Sequence, residues 1–91
     1  MEVKFTKKAL EHIDFWKKSG NKAVQKKIQQ LIEDICKTPF HGIGKPEALK
    51  YELQGIWSRR INEEHRIVYE IPEEGILLIH SLKGHYIDLD I

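Results

Sequence analysis

The apolar residues of this 91-residue chain change their period once, and that change constrains the fold more than any motif. Up to Ile35 they recur at helical spacing. Ala9, Ile13 and Trp16 form one set with Leu10 beside them, and Val24, Ile28, Leu31, Ile32 and Ile35 form one stripe opposite lysines and glutamines. From Leu49 they alternate, with Leu49, Tyr51 and Leu53 toward one side and Lys50, Glu52 and Gln54 toward the other. A chain this short buries a single core, so the helical half has to cover the strand half.

Punctuation residues divide these stretches into elements. Glu2 to Phe5 alternates as a short strand, and Thr6 is suited to cap a helix from Lys7 to about Lys18 that Ser19-Gly20 closes. Asn21 caps the second helix, which Pro39 stops, and Phe40 to Pro46 is a loop. A strand from Leu49 ends at Gly55. Trp57 to Ile61 and Ile67 to Ile71 follow, joined by a tight turn around Glu63-Glu64, and Pro72 to Gly75 turns again. Ile76 to Ile79 is apolar on both faces, as in a strand covered from both sides or lying centrally. The expected fold is α+β, β-α-α-β-β-β(-β), a helical hairpin packed on a twisted antiparallel sheet in one domain over residues 1–91.

The turn sets where two arginines point. A three-residue connection, Glu63 to His65, places Asn62 opposite Arg66 and Arg60 opposite Val68, so that Arg60 and Arg66 share a face; a two-residue connection separates them. The first is expected, because a pair of arginines is ill suited to a core face.

Residues 1–50 carry a net +5 and residues 51–91 a net −4, so the helical half offers a basic surface to a polyanion. Solvated helix faces account for most of those lysines. Cys36 is the sole cysteine, which excludes an intramolecular disulfide and a cysteine-based zinc site, and it reads as a small buried apolar group. The five histidines are scattered without ligand spacing, so no metal or other cofactor is expected. The first twenty residues are charged throughout and no apolar run is long enough to span a membrane, so a cytoplasmic location is expected.

All three arginines, Arg59, Arg60 and Arg66, lie in the stretch from Gly44 to Arg66, with Lys45, Glu47 and Lys50 just upstream. A guanidinium is a rigid, permanently charged fork suited to gripping phosphate. The motifs Thr-Pro-Phe at 38–40, Gly-Lys-Pro-Glu at 44–47, Leu-Lys at 49–50, Trp-Ser-Arg-Arg-Ile at 57–61, Glu-Glu-His-Arg at 63–66, Val-Tyr at 68–69 and His-Tyr at 85–86 occur in order. Together they resemble the YoeB/Txe family of ribosome-dependent RNA-cleaving toxins, relatives of RelE with a microbial-RNase-like fold. The resemblance runs from the first helix to Tyr86. Gly84 stands where some members carry an aromatic residue, and five residues follow the tyrosine at which many members end.

The resemblance implies a catalytic set of Glu47, Arg66 and His85, with Lys50, Arg60, Tyr86, Lys45 and Arg59 supporting the RNA. Glu47 would act as base on the 2′-hydroxyl, His85 as acid for the leaving oxygen, and Arg66 would stabilise the phosphate. His12, His41, His65 and His80 read as structural or solvated. The implied partners are a cognate YefM/Axe-like antitoxin, mRNA in the ribosomal decoding site and a second copy of the chain, with no membrane. Two other functions compete: a ParE-like toxin acting purely by binding, and an inactive module that sequesters a partner. A pure binder has no reason to keep Glu47, Arg66 and His85 together.

Overall fold

Both helices start on side-chain caps. The Thr6 hydroxyl accepts the Ala9 N–H at 3.1 Å and the Asn21 side chain accepts the Val24 N–H at 3.0 Å, each satisfying an amide that the first turn leaves without a helical partner. The caps open α1 (Lys7–Ser19) and α2 (Lys22–Lys37) in a computed structural model, which describes residues 1–85. Gly20, at φ 73°, supplies the left-handed residue that ends α1.

Five strands make one sheet: β1 (Glu2–Phe5), β2 (Glu47–Ala48), β3 (Ile56–Arg60), β4 (Arg66–Glu73) and β5 (Ile76–Ser81), in the order β1-β5-β4-β3-β2. The meander β2 to β5 is antiparallel as expected. β1 joins it by parallel pairing with β5, which makes the sheet mixed and β5 a central strand. Thr6 secures this join: its N–H donates to the Ile79 carbonyl at 3.0 Å and its hydroxyl to the His80 carbonyl at 3.1 Å.

The apolar stripes meet on one face of the sheet. Ala9 and Trp16 of α1 and Val24, Ile28, Leu31 and Ile35 of α2 pack with Ile61, Ile67, Tyr69, Leu77, Ile79 and Leu82. Each fully buried aliphatic side chain in this layer contributes about 1.5–3 kcal/mol. Strand alternation sends the neighbours of these residues to the other face, away from α1 and α2. There Leu49, Ile56 and Val68 form a small second cluster with Leu53, and the polar residues Ser58, Arg60 and Arg66 lie beyond it.

Two expectations change. The strand expected from Leu49 to Gln54 is only the pair Glu47–Ala48, and Tyr51–Leu53 is a 3₁₀ turn. Tyr51 sits at φ 58° and is 91% exposed, so Leu49, Tyr51 and Leu53 do not share a face. A left-handed residue breaks the strand that the alternation promised. The β3–β4 turn is also wider than expected. Arg60 pairs directly with Arg66, and Ile61 to His65 form the connection. The Asn62 side chain accepts the N–H groups of Glu64 and His65 at 2.9 and 2.8 Å, so it carries the turn and the ladder stops at Arg60. A register shift of two residues preserves the face, and Arg60 and Arg66 remain together.

Candidate active site

Alternation along three adjacent strands builds the site on the face away from α1 and α2. Glu47 of β2 pairs with Ser58 of β3, Ser58 and Arg60 are two residues apart, and Arg60 pairs with Arg66 of β4. These four side chains therefore point the same way, with Glu47 and Arg66 two strands and two residues apart, about 12 Å at the backbone. Their side chains close that gap around a hollow of about 330 Å³ lined by Lys45, Pro46, Glu47, Ser58, Arg60, Arg66 and His85. Glu47 and Arg60 are exposed, whereas Arg66 and His85 are half-buried.

Arg66 is held before any ligand arrives. Its Nη1 donates to the carbonyls of Asn62, His65 and Glu63 at 2.8, 3.2 and 3.3 Å, which fixes the direction of the fork. Glu70, one of the carboxylates near enough in sequence to neutralise the arginines, instead lies 3.0 Å from His80 Nε2. Lys50 borders a neighbouring hollow of about 400 Å³ that shares Glu47 as a wall, and the exposed Tyr51 lines the same space. Alternation put Tyr51 on one side with Leu49 and Leu53; its positive φ carries no sequence signal in a non-glycine residue. Tyr86 lies outside the described residues.

Arg59 does not join the site, which corrects its assignment to the RNA-supporting set. It faces the helices and is fully buried. Nη1 donates to Asp34 at 2.6 Å and to the Ile43 carbonyl at 3.1 Å, Nη2 donates to the carbonyls of Thr38 and His41, and Nε donates to the Tyr69 hydroxyl at 3.1 Å. One guanidinium thus ties α2, β4 and the 38–43 segment together, ahead of Lys45-Pro46-Glu47. Asp34 was not singled out in the sequence, although its spacing, three after Leu31 and four before Thr38, puts it on the flank of the buried stripe.

The Arg59 hydrogen bond, helped by the Ile43 N–H, holds the Asp34 carboxyl below the usual carboxylate range. Its stabilising effect is fully present above the unfolded value of about 3.9 and is lost as the pH falls through the lower folded value. Asp34→Asn is therefore expected to flatten the acid limb of stability below about pH 4, measured by urea unfolding at a series of pH values.

The loop reaches the site through Gly44, whose carbonyl accepts the Arg60 N–H at 2.7 Å. Gly44 has φ 79°, and a Cβ there would lie 2.7 Å from Leu31 Cδ2 and 3.1 Å from the Arg60 carbonyl oxygen. Gly44→Ala combines backbone strain with overpacking, so a loss of about 1–3 kcal/mol is expected in chemical denaturation.

A helical hairpin on a five-stranded sheet is the α+β fold of the small RelE-like toxins. The solved YoeB/ParE toxin from Agrobacterium tumefaciens superposes with a TM-score of 0.89 at 38% identity, covering 94% of this chain and all of that one. A YoeB–YefM complex and a YoeB dimer, both from Staphylococcus aureus, give 0.83 at 40% and 0.84 at 39%, each covering 94% of this chain and 98% of its counterpart. Toxin YoeB of Escherichia coli is 43% identical over 86 residues, 94% of this chain and all of that protein, and Toxin YoeB of Synechocystis is 46% identical over 94% of this chain and 98% of that protein. The family model for the YoeB-like toxin of bacterial type II toxin–antitoxin systems matches residues 5–86. The chain belongs to that family and is a toxin of a type II toxin–antitoxin system.

Proposed function

We propose that this toxin is a ribosome-dependent endoribonuclease that cuts mRNA in the decoding site and so stops translation. The observation that supports this most directly is the convergence of Glu47, Arg66 and His85 on one hollow open to solvent. RNA supplies its own nucleophile. Ionised Glu47 takes the proton of the 2′-hydroxyl as that oxygen bonds to phosphorus, and protonated His85 gives its proton to the 5′-oxygen as the P–O5′ bond breaks. The products are a 2′,3′-cyclic phosphate and a 5′-hydroxyl end. The anchored fork of Arg66 meets the charge that gathers on the phosphoryl oxygens. Arg60, Lys45 and Lys50 hold the flanking backbone; the supporting role of Tyr86, outside the described residues, rests on the resemblance alone.

The partner follows from the same surface and from the relatives. A YoeB–YefM complex is among the structural neighbours, and an acidic antitoxin segment that orders on binding would cover the arginines here. The YoeB dimer among those neighbours supports self-association as a second mode. Membrane insertion plays no part in this reading; among the described residues no helix is long and apolar enough to cross a membrane.

Primer-extension mapping of mRNA after brief expression tests the activity. New 5′ ends within translated regions are expected. Growth arrest with intact mRNA would instead point to a toxin acting by binding, and no arrest to an inactive sequestering module.

A further inference from the structure

The residue proposed as the acid, His85, follows a short strap, Leu82 to Gly84, whose backbone is gripped by two histidines that the mechanism does not use. The Leu82 N–H donates to His12 Nδ1 at 3.0 Å, and the Gly84 N–H donates to His65 Nδ1 at 2.9 Å. On the carbonyl side, Trp16 Nε1 donates to Leu82 at 2.8 Å and the Arg66 N–H to Gly84 at 2.9 Å. His65 is itself wedged edge-on against the Trp16 ring, 4.9 Å between centroids. A backbone amide can only donate, so each bond requires its Nδ1 to carry no proton.

We infer that His12 and His65 are positioning residues that hold the strap, and with it His85, at the hollow only while both imidazoles are neutral. This rests on the nuclease reading above and adds a condition to it. Protonating either Nδ1 replaces an acceptor with a second donor facing an N–H. The hydrogen bond then becomes a repulsion, and the strap loses one of its anchors.

The surroundings set the sign. His12 faces Lys8 and Glu11 of its own helix, Lys83 of the strap and His65. His65 has the Glu64 carboxylate 3.6 Å from Nε2 and shares with Lys8, His12 and Lys83 a hollow of about 330 Å³ behind the strap. Burial, followed by Lys8 and Lys83, pushes the His12 imidazole below its ordinary value. The native state therefore resists the proton that the unfolded chain accepts. The His12 anchor is fully effective above about pH 6.5 and weakens as the pH falls through its lower folded value.

The test uses the full chain with nitrogen-15 label. In ¹H–¹⁵N spectra both imidazoles are expected as the Nε2–H tautomer at about pH 7.5. The exchange protection of the Leu82 and Gly84 amides is expected to drop at least tenfold as the pH is lowered, before that of the α2 amides changes. Asparagine offers an oxygen near the place of Nδ1 and cannot be protonated. The His12→Asn/His65→Asn pair should therefore keep that protection at low pH and flatten the acid limb of RNA cleavage. His65→Leu should lower cleavage at least tenfold at every pH while the melting temperature reports a folded chain. An Nδ1–H tautomer at either histidine, or amide protection that ignores pH, overturns the clamp. So does full cleavage by a folded His65→Leu chain. A wild-type chain that cuts no RNA removes the nuclease reading instead, and the amide and tautomer measurements still decide the clamp.

Discussion

Glu47→Gln and His85→Gln are each expected to lower mRNA cleavage by about 10²–10⁴-fold, the usual worth of a positioned acid or base. Neither change should lower the melting temperature by more than a degree or two, because Glu47 is exposed on the two-residue β2 and His85 lies beyond β5. Cleavage is best followed as the rate of appearance of mapped 5′ ends with purified ribosomes. The double variant should be little worse than either single one, because the effects of a base and an acid that serve one transition state do not multiply. Arg66→Lys keeps the charge but loses the fork, together with the Nη1 bonds to Asn62, Glu63 and His65, so it should also lose most activity. Near wild-type cleavage by Glu47→Gln or by His85→Gln would strike that residue from its role.

The second large effect separates two neighbouring arginines. Arg59→Met is expected to cost at least about 2 kcal/mol in chemical denaturation, because it takes the side-chain donors from the Thr38, His41 and Ile43 carbonyls and unties the loop from α2. Arg60→Met is expected to shift stability by less than about 0.5 kcal/mol, since Arg60 is exposed, and to weaken RNA binding instead. Equal stability of the two variants would remove the structural role argued for Arg59. The contrast follows from strand alternation alone. Position 59 looks at Asp34 of α2, and position 60 looks into the hollow.

Most of the fold was legible because its signals are local. Thr6 and Asn21 cap where their side chains allow, and the period of three to four in α2 delivers Leu31 and Ile35 to the core. That Glu47, Arg66 and His85 would line one hollow was legible only through resemblance, while the shared face of Arg60 and Arg66 followed independently from alternation. What remained hidden depended on backbone states or distant partners. Tyr51 alternates as a strand residue should, but its left-handed φ turns it outward. Arg59 reads like its neighbour, and only the approach of Asp34 and three loop carbonyls distinguishes it. The wide β3–β4 connection was set by one asparagine side chain replacing ladder bonds. The parallel pairing of β1 with β5 joins residues more than seventy positions apart, a separation that no short window of sequence reveals.

That last pairing bears on when the protein becomes dangerous. β1 is synthesised first yet finds its sheet partner only after β5 has been made, and Thr6 cannot reach the His80 carbonyl, 74 positions downstream, until then. Closing so long a loop is slow, and the imidazole at position 85 is later still in the chain. In a growing chain, the join of β1 to β5 and the arrival of position 85 at the hollow therefore come after every other strand has been made.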